Sequence, residues 1–377
     1  MIATDFVVVG AGIAGASVAY ELSHRAKVVV LEREPQAGYH ATGRSAALFS
    51  EIYGNAQVRA LSRAGRAFLF DPPAAFTPGP LLAPRGVLYI SAQEQLPRFE
   101  AFRSAPDVAR DTRELTTAQA LELVPILRET SAAHCAYEPA AMDVEAANLH
   151  QGYLSGLKAA GCHVLTSCDI VRIERAQGAW TVITATDRVR APVLVNAAGA
   201  WADELAYLAG VAPIGIEPLR RTACLVQPPD GLKVDRWPMV MDVDEQLYFK
   251  PDAGKLLVSP ADETPSPPCD AQPEDLDVAI AVDRFEQATT VSVSRVTHSW
   301  AGLRTFVADR SPVVGFEPAR EGFFWLAGQG GYGIQTAPAL SRLAAALLLG
   351  QTAPADILAH GVSMQALSPA RLRDGAE

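Results

Sequence analysis

The sequence contains little cysteine. Its five cysteines, Cys135, Cys162, Cys168, Cys224 and Cys269, are odd in number, and no two of them have CxxC spacing. This pattern excludes a disulfide framework and a cysteine-based zinc site, because both need thiols paired at short spacings. We therefore predict no metal site and a reducing compartment.

Positive charge and long apolar runs are also scarce. Lys and Arg number 32 against 42 Asp and Glu, a formal net charge of -10. Such a surface repels phosphates, so we expect no nucleic-acid partner. The aliphatic run Leu343 to Leu349 is far below the roughly 20 residues that span a bilayer, and the start MIATDF lacks the features of a signal peptide. We expect no transmembrane segment and a cytoplasmic location, with peripheral association with the inner membrane left open.

The first 32 residues have the pattern of a dinucleotide-binding unit. Gly10, Gly12 and Gly15 form GxGxxG between the apolar run Phe6 to Val9 and a segment of helical composition. Glycines at these positions permit a tight turn, a close approach to a pyrophosphate and helix–strand packing, and the helix N-terminus favours the phosphates. Glu32 ends the second strand, where a carboxylate binds ribose hydroxyls and disfavours NADP. This unit alone leaves FAD and NAD both open.

Two glycine-containing segments favour FAD. Gly43, Arg44, Ser45, Ala46 and Ala47 follow the acidic strand end, where small residues and an arginine suit a pyrophosphate and a flat ring. The second segment, residues 328–336, is a Gly-rich return of the chain before the last helix. Its bare backbone and the helix N-terminus suit the flavin pyrimidine edge. An NAD enzyme needs no such return. The residues of the return that we assign to the cofactor are Gly328, Gly330, Gly331, Tyr332, Gly333, Ile334, Gln335 and Thr336.

The segments VVVGAGIAGAS, VVVLERE, GYHATGRSAA, LVNAAGAWAD, YFKPDAG, WAGLRTFVAD and GQGGYGIQTAPAL together resemble the D-amino-acid oxidase-like (DAO) superfamily of FAD oxidoreductases along nearly the whole chain. Within it, the sequence is most similar to the bacterial D-arginine and D-amino acid dehydrogenases. The resemblance implies an α/β fold: a Rossmann-like FAD-binding domain of the GR2 type and an α+β substrate domain on a mixed, largely antiparallel sheet. The expected FAD-binding domain is discontinuous, over 1–80, 143–212 and 303–377. The substrate domain takes 81–142 and 213–302.

The resemblance assigns roles to individual residues. Arg221 and Arg304 match a pair that binds the substrate carboxylate, a chemically sensible use of bidentate guanidinium groups. Tyr53, on a mobile loop, and Tyr248, on the sheet, match substrate-contacting tyrosines, whereas Gly331 and Gln335 match positions near the substrate amine and the flavin. The remaining cofactor contacts expected are Ile13, Ala14, Arg33, Val171, Ala198, Gly199, Trp201 and Arg304 itself. Relatives with covalent flavin use a cysteine in the C-terminal part, which this chain lacks after Cys269, so we expect non-covalent FAD.

Two departures from the D-arginine enzymes concern the substrate pocket. Val87 stands where those enzymes have a glutamate that pairs with the substrate guanidinium, and Leu48 replaces a histidine. Without a buried carboxylate partner a distal cation binds poorly. We therefore expect apolar D-amino acids to be favoured over D-arginine.

The predicted reaction is oxidative deamination of a D-amino acid, with hydride transfer from Cα to flavin N5 and hydrolysis of the imino acid to a 2-oxo acid and ammonia. The acceptor of the electrons is open, a quinone or another molecule, with poor use of O2 expected. Oxidation of a secondary amino acid such as sarcosine or proline, or of a 2-hydroxy acid, stays open, as does a flavin-binding assembly protein without turnover. Oligomeric state and the role of His40 are not readable from the sequence.

Overall fold

The computed structural model describes residues 1–373. In chain order its strands are β1 (Ile2–Ala3), β2 (Phe6–Val9), β3 (Val28–Leu31), β4 (Leu48–Phe49), β5 (Leu82–Pro84), β6 (Val87–Ser91), β7 (Arg113–Leu115), β8 (His134–Glu138), β9 (Met142–Val144), β10 (His163–Leu165), β11 (Ile170–Ala176), β12 (Ala179–Thr184), β13 (Arg188–Ala191), β14 (Val193–Asn196), β15 (Glu217–Val226), β16 (Met239–Asp242), β17 (Tyr248–Asp252), β18 (Lys255–Ser259), β19 (Thr264–Pro265), β20 (Val296–Phe306), β21 (Val313–Phe316) and β22 (Phe323–Ala327).

The α-helices are α1 (Ile13–Ser23), α2 (Ala56–Phe70), α3 (Leu96–Ser104), α4 (Pro106–Asp111), α5 (Thr117–Leu123), α6 (Ala146–Ala159), α7 (Ala202–Leu208), α8 (Asp275–Ala288), α9 (Gly333–Leu348), α10 (Ala355–Leu358) and α11 (Met364–Leu367). Short 3-10 helices cover Gln93–Gln95, Gly199–Trp201 and Pro369–Leu372. Among residues 1–373, none of the helices combines the length and the apolar character needed to cross a bilayer.

A six-stranded sheet carries the N-terminal motif. Its order is β10-β3-β2-β14-β22-β21, parallel except for the edge strand β21. Strands β2 and β3 read FVVV and VVVL and are wholly buried, as expected for a parallel sheet covered on both faces. Helices α1, α2 and α9 share one core with one face, and a four-stranded sheet with α7 covers the other. The carboxyl ends of β2 and β14 therefore open toward the rest of the molecule.

The second large sheet has nine strands and is mostly antiparallel. Its path is β19-β15-β18-β17-β16-β6-β8-β7, with β20 also paired to β15. Because side chains alternate along a strand, Leu88 and Ile90 point into a core shared with α8, whereas Val87 and Tyr89 point the other way, into a core shared with Tyr53 and Tyr248. This second face is turned toward the six-stranded sheet.

The predicted fold class is confirmed: an α/β nucleotide-binding sheet with a separate, largely antiparallel substrate sheet. Several elements differ in detail. Helix α2, of 15 residues, was not predicted. The last helix begins at Gly333 rather than near Thr336, so part of the expected loop is its first turn. Strand β20 is continuous through residues 302 and 303, where a domain boundary was expected; the domain bounds themselves stay a prediction.

Candidate active site

A long cleft lies between the carboxyl ends of the parallel strands and the inner face of the nine-stranded sheet. Its lining runs from Leu31 and Glu32, past the GxGxxG turn, to Tyr248 and Arg304. Nineteen of the predicted site residues line it: Gly10, Gly12, Ile13, Ala14, Glu32, Arg33, Arg44, Ser45, Ala46, Ala198, Gly199, Trp201, Arg221, Tyr248, Arg304, Gly330, Gly331, Gly333 and Ile334. Residues distant in sequence thus form one continuous wall.

The turn after β2 leaves no room for side chains. Gly10 has φ +100°, a conformation that L side chains rarely adopt, and a Cβ there would lie 2.4 Å from the Ala197 carbonyl oxygen. A Cβ on Gly15 would lie 1.8 Å from the Gly10 carbonyl oxygen. Glycine is therefore required at both positions for the turn to pack. Gly10 and Gly12 line the cleft without a side chain, as close approach to a pyrophosphate requires.

Glu32 is buried, and backbone donors orient its carboxylate. The Ala11 N–H donates to Oε2 at 2.7 Å, and the Glu34 N–H donates to Oε1 at 3.0 Å. A carboxylate oxygen accepts more than one hydrogen bond, so both oxygens keep capacity for ribose hydroxyls. Nearby, Thr42 Oγ1 accepts the Ile13 N–H at 2.9 Å, which fixes the first turn of α1 against the 38–47 loop.

Arg44 ties that loop to the nine-stranded sheet. Its guanidinium donates to the carbonyl oxygens of Ala271 (2.8 Å) and Ala301 (2.9 Å) and forms an ion pair with Asp270. The Trp300 indole N–H donates back to the Arg44 carbonyl at 3.1 Å. Arg44 is thus a structural link between the two walls of the cleft, a role that its sequence pattern did not reveal.

The Gly-rich return is anchored on the strand that carries Arg304. The Gly330 N–H donates to the Thr305 carbonyl at 2.8 Å. A Cβ on Gly331 would lie 2.6 Å from Arg304 Cζ, so only glycine lets the guanidinium pack flat against this backbone. Gln335 is buried in the first turn of α9, where its Oε1 accepts the Ser50 N–H at 3.0 Å. Its Nε2 is also buried and has no partner within residues 1–373.

Arg304 is a partly buried cation without a counter-ion. It lines the cleft, and the one hydrogen bond that its side chain makes to the described residues is a 3.5 Å contact from NH1 to the Tyr53 hydroxyl. Within residues 1–373 no carboxylate lies within ion-pair distance of it. Tyr53 packs edge-on against Tyr332 at 5.1 Å between ring centroids. A guanidinium keeps its charge in proteins, so this end of the cleft attracts an anion.

Arg221 differs from Arg304 because it is already paired. On the β15–β20 ladder, Arg221 lies opposite Gly302 and Leu219 lies opposite Arg304, which places both arginines on one face, two residues apart. The Arg221 Nε donates to the Asp262 carbonyl at 2.7 Å, and NH2 contacts Glu263 at 3.1 Å. Glu263 also pairs with Arg310. The predicted arginine pair is therefore asymmetric, with one group free and the other held.

Some predicted residues lie outside the cleft lining. Val171 is 60% exposed, and Cys168 and Ile170 line the adenosine end instead. Val87 is fully buried, and it packs together with Leu48 in the core beside Tyr53. Neither reaches the cleft lining. The other predicted residues outside the lining are Gly15, Tyr53, Gly43, Ala47, Gly328, Tyr332, Gln335 and Thr336.

Several site residues had no clear sequence signal. Thr42 and Trp300 lie within the family-like segments, which offered the only hint.

Cys269 also lines the cleft, so non-covalent attachment of FAD stays a prediction. His40 contacts Glu34 at 2.9 Å and packs on Trp201, a structural position at the cleft rim. Lys250 pairs with Asp143 at 2.8 Å and does not line the cleft.

The residues present fit FAD. A bare glycine turn, an oriented carboxylate for ribose and a glycine-walled return line one cleft, and an orphaned buried amide, Gln335 Nε2, lies behind this lining. The lining runs from Glu32 to Arg304, so a dinucleotide held at Glu32 would extend toward the free arginine.

Comparisons with known proteins agree with this geometry. The family model "DAO: FAD dependent oxidoreductase" matches residues 5–347. Glycine oxidase from Geobacillus kaustophilus is 24% identical over 91% of this chain and 92% of its own. FAD-dependent oxidoreductase domain-containing protein 1 from Xenopus laevis is 28% identical, but that match spans only 43% of this chain and 35% of the relative.

Solved structures show the same fold. L-proline dehydrogenase from P. horikoshii superposes with a TM-score of 0.84 at 21% identity, covering 99% of both chains. L-alpha-glycerophosphate oxidase from Mycoplasma pneumoniae, a structure with FAD bound, gives 0.83 at 18% identity over 93% of this chain and 95% of that one. The predicted cofactor, FAD, is confirmed.

Proposed function

Because the chain belongs to the DAO family of FAD-dependent oxidoreductases, we propose that it oxidises the Cα–N bond of a small amino acid. The observation that carries this proposal is the free cation of Arg304 at the far end of the FAD cleft. A partly buried guanidinium without a counter-ion is costly, and a substrate carboxylate supplies the missing anion with two parallel hydrogen bonds.

In this proposal the substrate binds to the residues around Arg304. The carboxylate pairs with Arg304, and the hydroxyls of Tyr53 and Tyr248 offer further hydrogen bonds; Tyr248 is buried in the cleft wall. Arg221, held by Glu263, adds positive field rather than a free second clamp. The role of FAD, when bound, is to accept the hydride from Cα. The protein contributes orientation and electrostatics.

The amine must lose its proton before oxidation, because its lone pair assists the departure of hydride. At the substrate end of the cleft the lining contains Arg221, Tyr248, Trp300, Arg304 and Thr305, and no Asp, Glu or His among the described residues of that end. The proton therefore leaves to solvent, and we expect the rate of flavin reduction to rise with pH toward the pKa of the substrate amine.

The closed packing behind the cleft favours a small side chain. Val87 is fully buried, Tyr248 is 5% exposed, and both belong to one apolar core with Leu48. A large side chain would have to open this core. D-Alanine-like substrates agree with the expectation of apolar D-amino acids over D-arginine, because within residues 1–373 no carboxylate lines the cleft beside Arg304.

Glycine and secondary amino acids are the second candidate. The similar proteins include a glycine oxidase and an L-proline dehydrogenase rather than a D-arginine enzyme, and small substrates of this kind also fit a closed pocket. We propose a dehydrogenase rather than an oxidase. In some members of the family, oxygen reactivity depends on a lysine poised over the flavin. The chain has five lysines, Lys27, Lys158, Lys233, Lys250 and Lys255, and none of them lines the cleft.

The test is anaerobic mixing of the FAD-loaded protein with a panel of reductants. The panel contains D-alanine, D-leucine, D-arginine, glycine, sarcosine, L- and D-proline and lactate. Bleaching of the oxidised flavin band identifies the substrate, and admission of air then reports oxygen use. Fastest bleaching by lactate would refute amine oxidation, fastest bleaching by D-arginine would refute the small apolar pocket, and no bleaching at all would favour a non-catalytic flavoprotein.

A further inference from the structure

A buried carboxylate that the proposed reaction does not use lies directly behind the cleft. Glu138, at the end of β8, is 2% exposed and lies opposite Val87 on the inner face of the nine-stranded sheet. The Ser50 hydroxyl donates to both of its oxygens, at 2.9 and 3.0 Å, and the Tyr89 hydroxyl donates at 3.2 Å. Within residues 1–373 no cation pairs with it.

Ser50 connects this carboxylate to the site. Its backbone N–H donates to Gln335 Oε1 at 3.0 Å, in the first turn of α9 beside the cleft residue Ile334. Its hydroxyl oxygen accepts the Ile52 N–H at 3.3 Å, in the segment that leads to Tyr53. Tyr53 in turn contacts Arg304. One serine therefore bridges Glu138, Gln335 and the tyrosine segment.

We propose that Glu138 is a positioning residue, which acts through Ser50 to hold Gln335 and the 50–54 segment with Tyr53 in the geometry that binds substrate, and that it does so as the carboxylate. The Ser50 and Tyr89 hydroxyls each have a proton to donate, and a carboxylate accepts both, whereas a carboxylic acid offers its own proton in place of one accepting position. For its effect on turnover, this inference rests on the proposed function.

The charge state of Glu138 is open to change within the working pH range. Burial raises its pKa to about 7, the Ser50 and Tyr89 hydrogen bonds oppose this, and the negative charges of Asp111 and Glu51 add to it. Tyr89 faces it from β6, and burial raises the pKa of that phenol too, so it remains a neutral donor. Protonation of Glu138 turns one accepting position into a donor and loosens Ser50.

The test compares wild type, Glu138→Gln and Glu317→Gln as FAD-loaded proteins. Glu317 is also buried, at 4% exposure, but it pairs with Arg373 away from the cleft, so its replacement controls for the loss of a buried carboxylate. The readout is the anaerobic rate of flavin reduction at saturating substrate from pH 5.5 to 9. Relative to the steady rise with pH that deprotonation of the substrate amine gives every variant, we expect wild type and Glu317→Gln to lose a further factor of about ten in rate below an inflection near pH 7, the scale of one charge-assisted hydrogen bond.

In Glu138→Gln the amide mimics the protonated acid, so we expect a rate about tenfold lower at pH 8 and no inflection near pH 7. An inflection that persists unchanged in this variant would overturn the inference. Amide hydrogen exchange at Ser50 gives a readout independent of turnover. After correction for the intrinsic pH dependence of exchange, we expect the protection of this amide in wild type to be lower at pH values under 7 than above it. In Glu138→Gln we expect no such change with pH. If no substrate reduces the flavin yet this difference appears, the proposed function fails and the positioning role stands; equal protection in both would refute it.

Discussion

Replacing Arg304 by Met is expected to stabilise the protein while abolishing substrate binding. Arg304 is partly buried and has no counter-ion in the described chain, so its loss removes a desolvation cost. Fully buried charges without partners cost several kcal/mol; discounting for the open cleft, we expect a gain of about 1 kcal/mol. An unfolding entropy of roughly 2.1 cal/mol/K per residue over 377 residues converts this to a rise in Tm of about 1 °C.

Arg220 provides the matched control, because it is the neighbouring residue of Arg221 and faces the other way. It pairs with Asp277 at 2.9 Å and with Glu274. Arg220→Met leaves Asp277, which is only 12% exposed, without its partner. We therefore expect the free energy of unfolding to fall by about 3 kcal/mol and Tm to fall by about 4 °C. The same chemical change should therefore move Tm in opposite directions.

The assay is thermal unfolding of the FAD-loaded variants with and without acetate, and with acetamide as the uncharged analogue. Acetate at about ten times its Kd should add about 1.4 kcal/mol to wild type and to Arg220→Met, a shift of about 2 °C. Acetamide should give no shift, and Arg304→Met should respond to neither. If Arg304→Met lowers Tm as Arg220→Met does, or keeps the acetate shift, the free-cation interpretation is wrong.

Three further predictions concern other parts of the site. Because folding raises the pKa of Glu138 from its ordinary 4.5 to about 7, the folded state binds the extra proton in this window and stability falls as pH rises from 4.5 to 7, by about 3 kcal/mol at most; chemical denaturation should show this fall flattened in Glu138→Gln. Glu32→Gln should weaken FAD binding by roughly 10- to 100-fold, since charge-assisted hydrogen bonds are lost, and an unchanged Kd in flavin fluorescence titration would contradict the ribose role. Gly331→Ala should displace the Arg304 guanidinium, 2.6 Å from the added Cβ, and raise the KM of the substrate about tenfold or more with FAD still bound; an unaltered KM would show that this packing is dispensable.

The nucleotide half of the molecule was largely predictable from the sequence. Uninterrupted apolar strands, the glycine turn and Glu32 each follow from local rules, and the structure places them together. The return was less well predicted, because its first helical turn begins at Gly333 and no pattern distinguishes a glycine loop from a glycine-led helix. Helix α2 was not predicted, although its buried residues Val58, Leu61 and Leu69 recur at helical spacing and Asn55 caps its N-terminus.

The substrate half depended on contacts that no local pattern reveals. Arg221 and Arg304 resemble each other in sequence context, and only the tertiary pairing of Arg221 with Glu263 separates a held arginine from a free one. Val87 was expected to face the substrate, yet the packing of β6 against β8 buries it opposite Glu138. Alternation along one strand leaves open which face of the sheet meets the substrate, and the pairing with distant strands decides it.

The order of strands in the six-stranded sheet has a consequence for biosynthesis. Strand β2, next to the glycine turn, pairs on one side with β14, whose other neighbour is β22 at residues 323–327. A chain growing from the ribosome cannot complete this sheet until most of its length has emerged, and contacts of such sequence separation form slowly. We therefore expect a nascent chain that ends before residue 323 to be unable to retain FAD, so that cofactor capture waits for β22 rather than accompanying synthesis of the N-terminal motif.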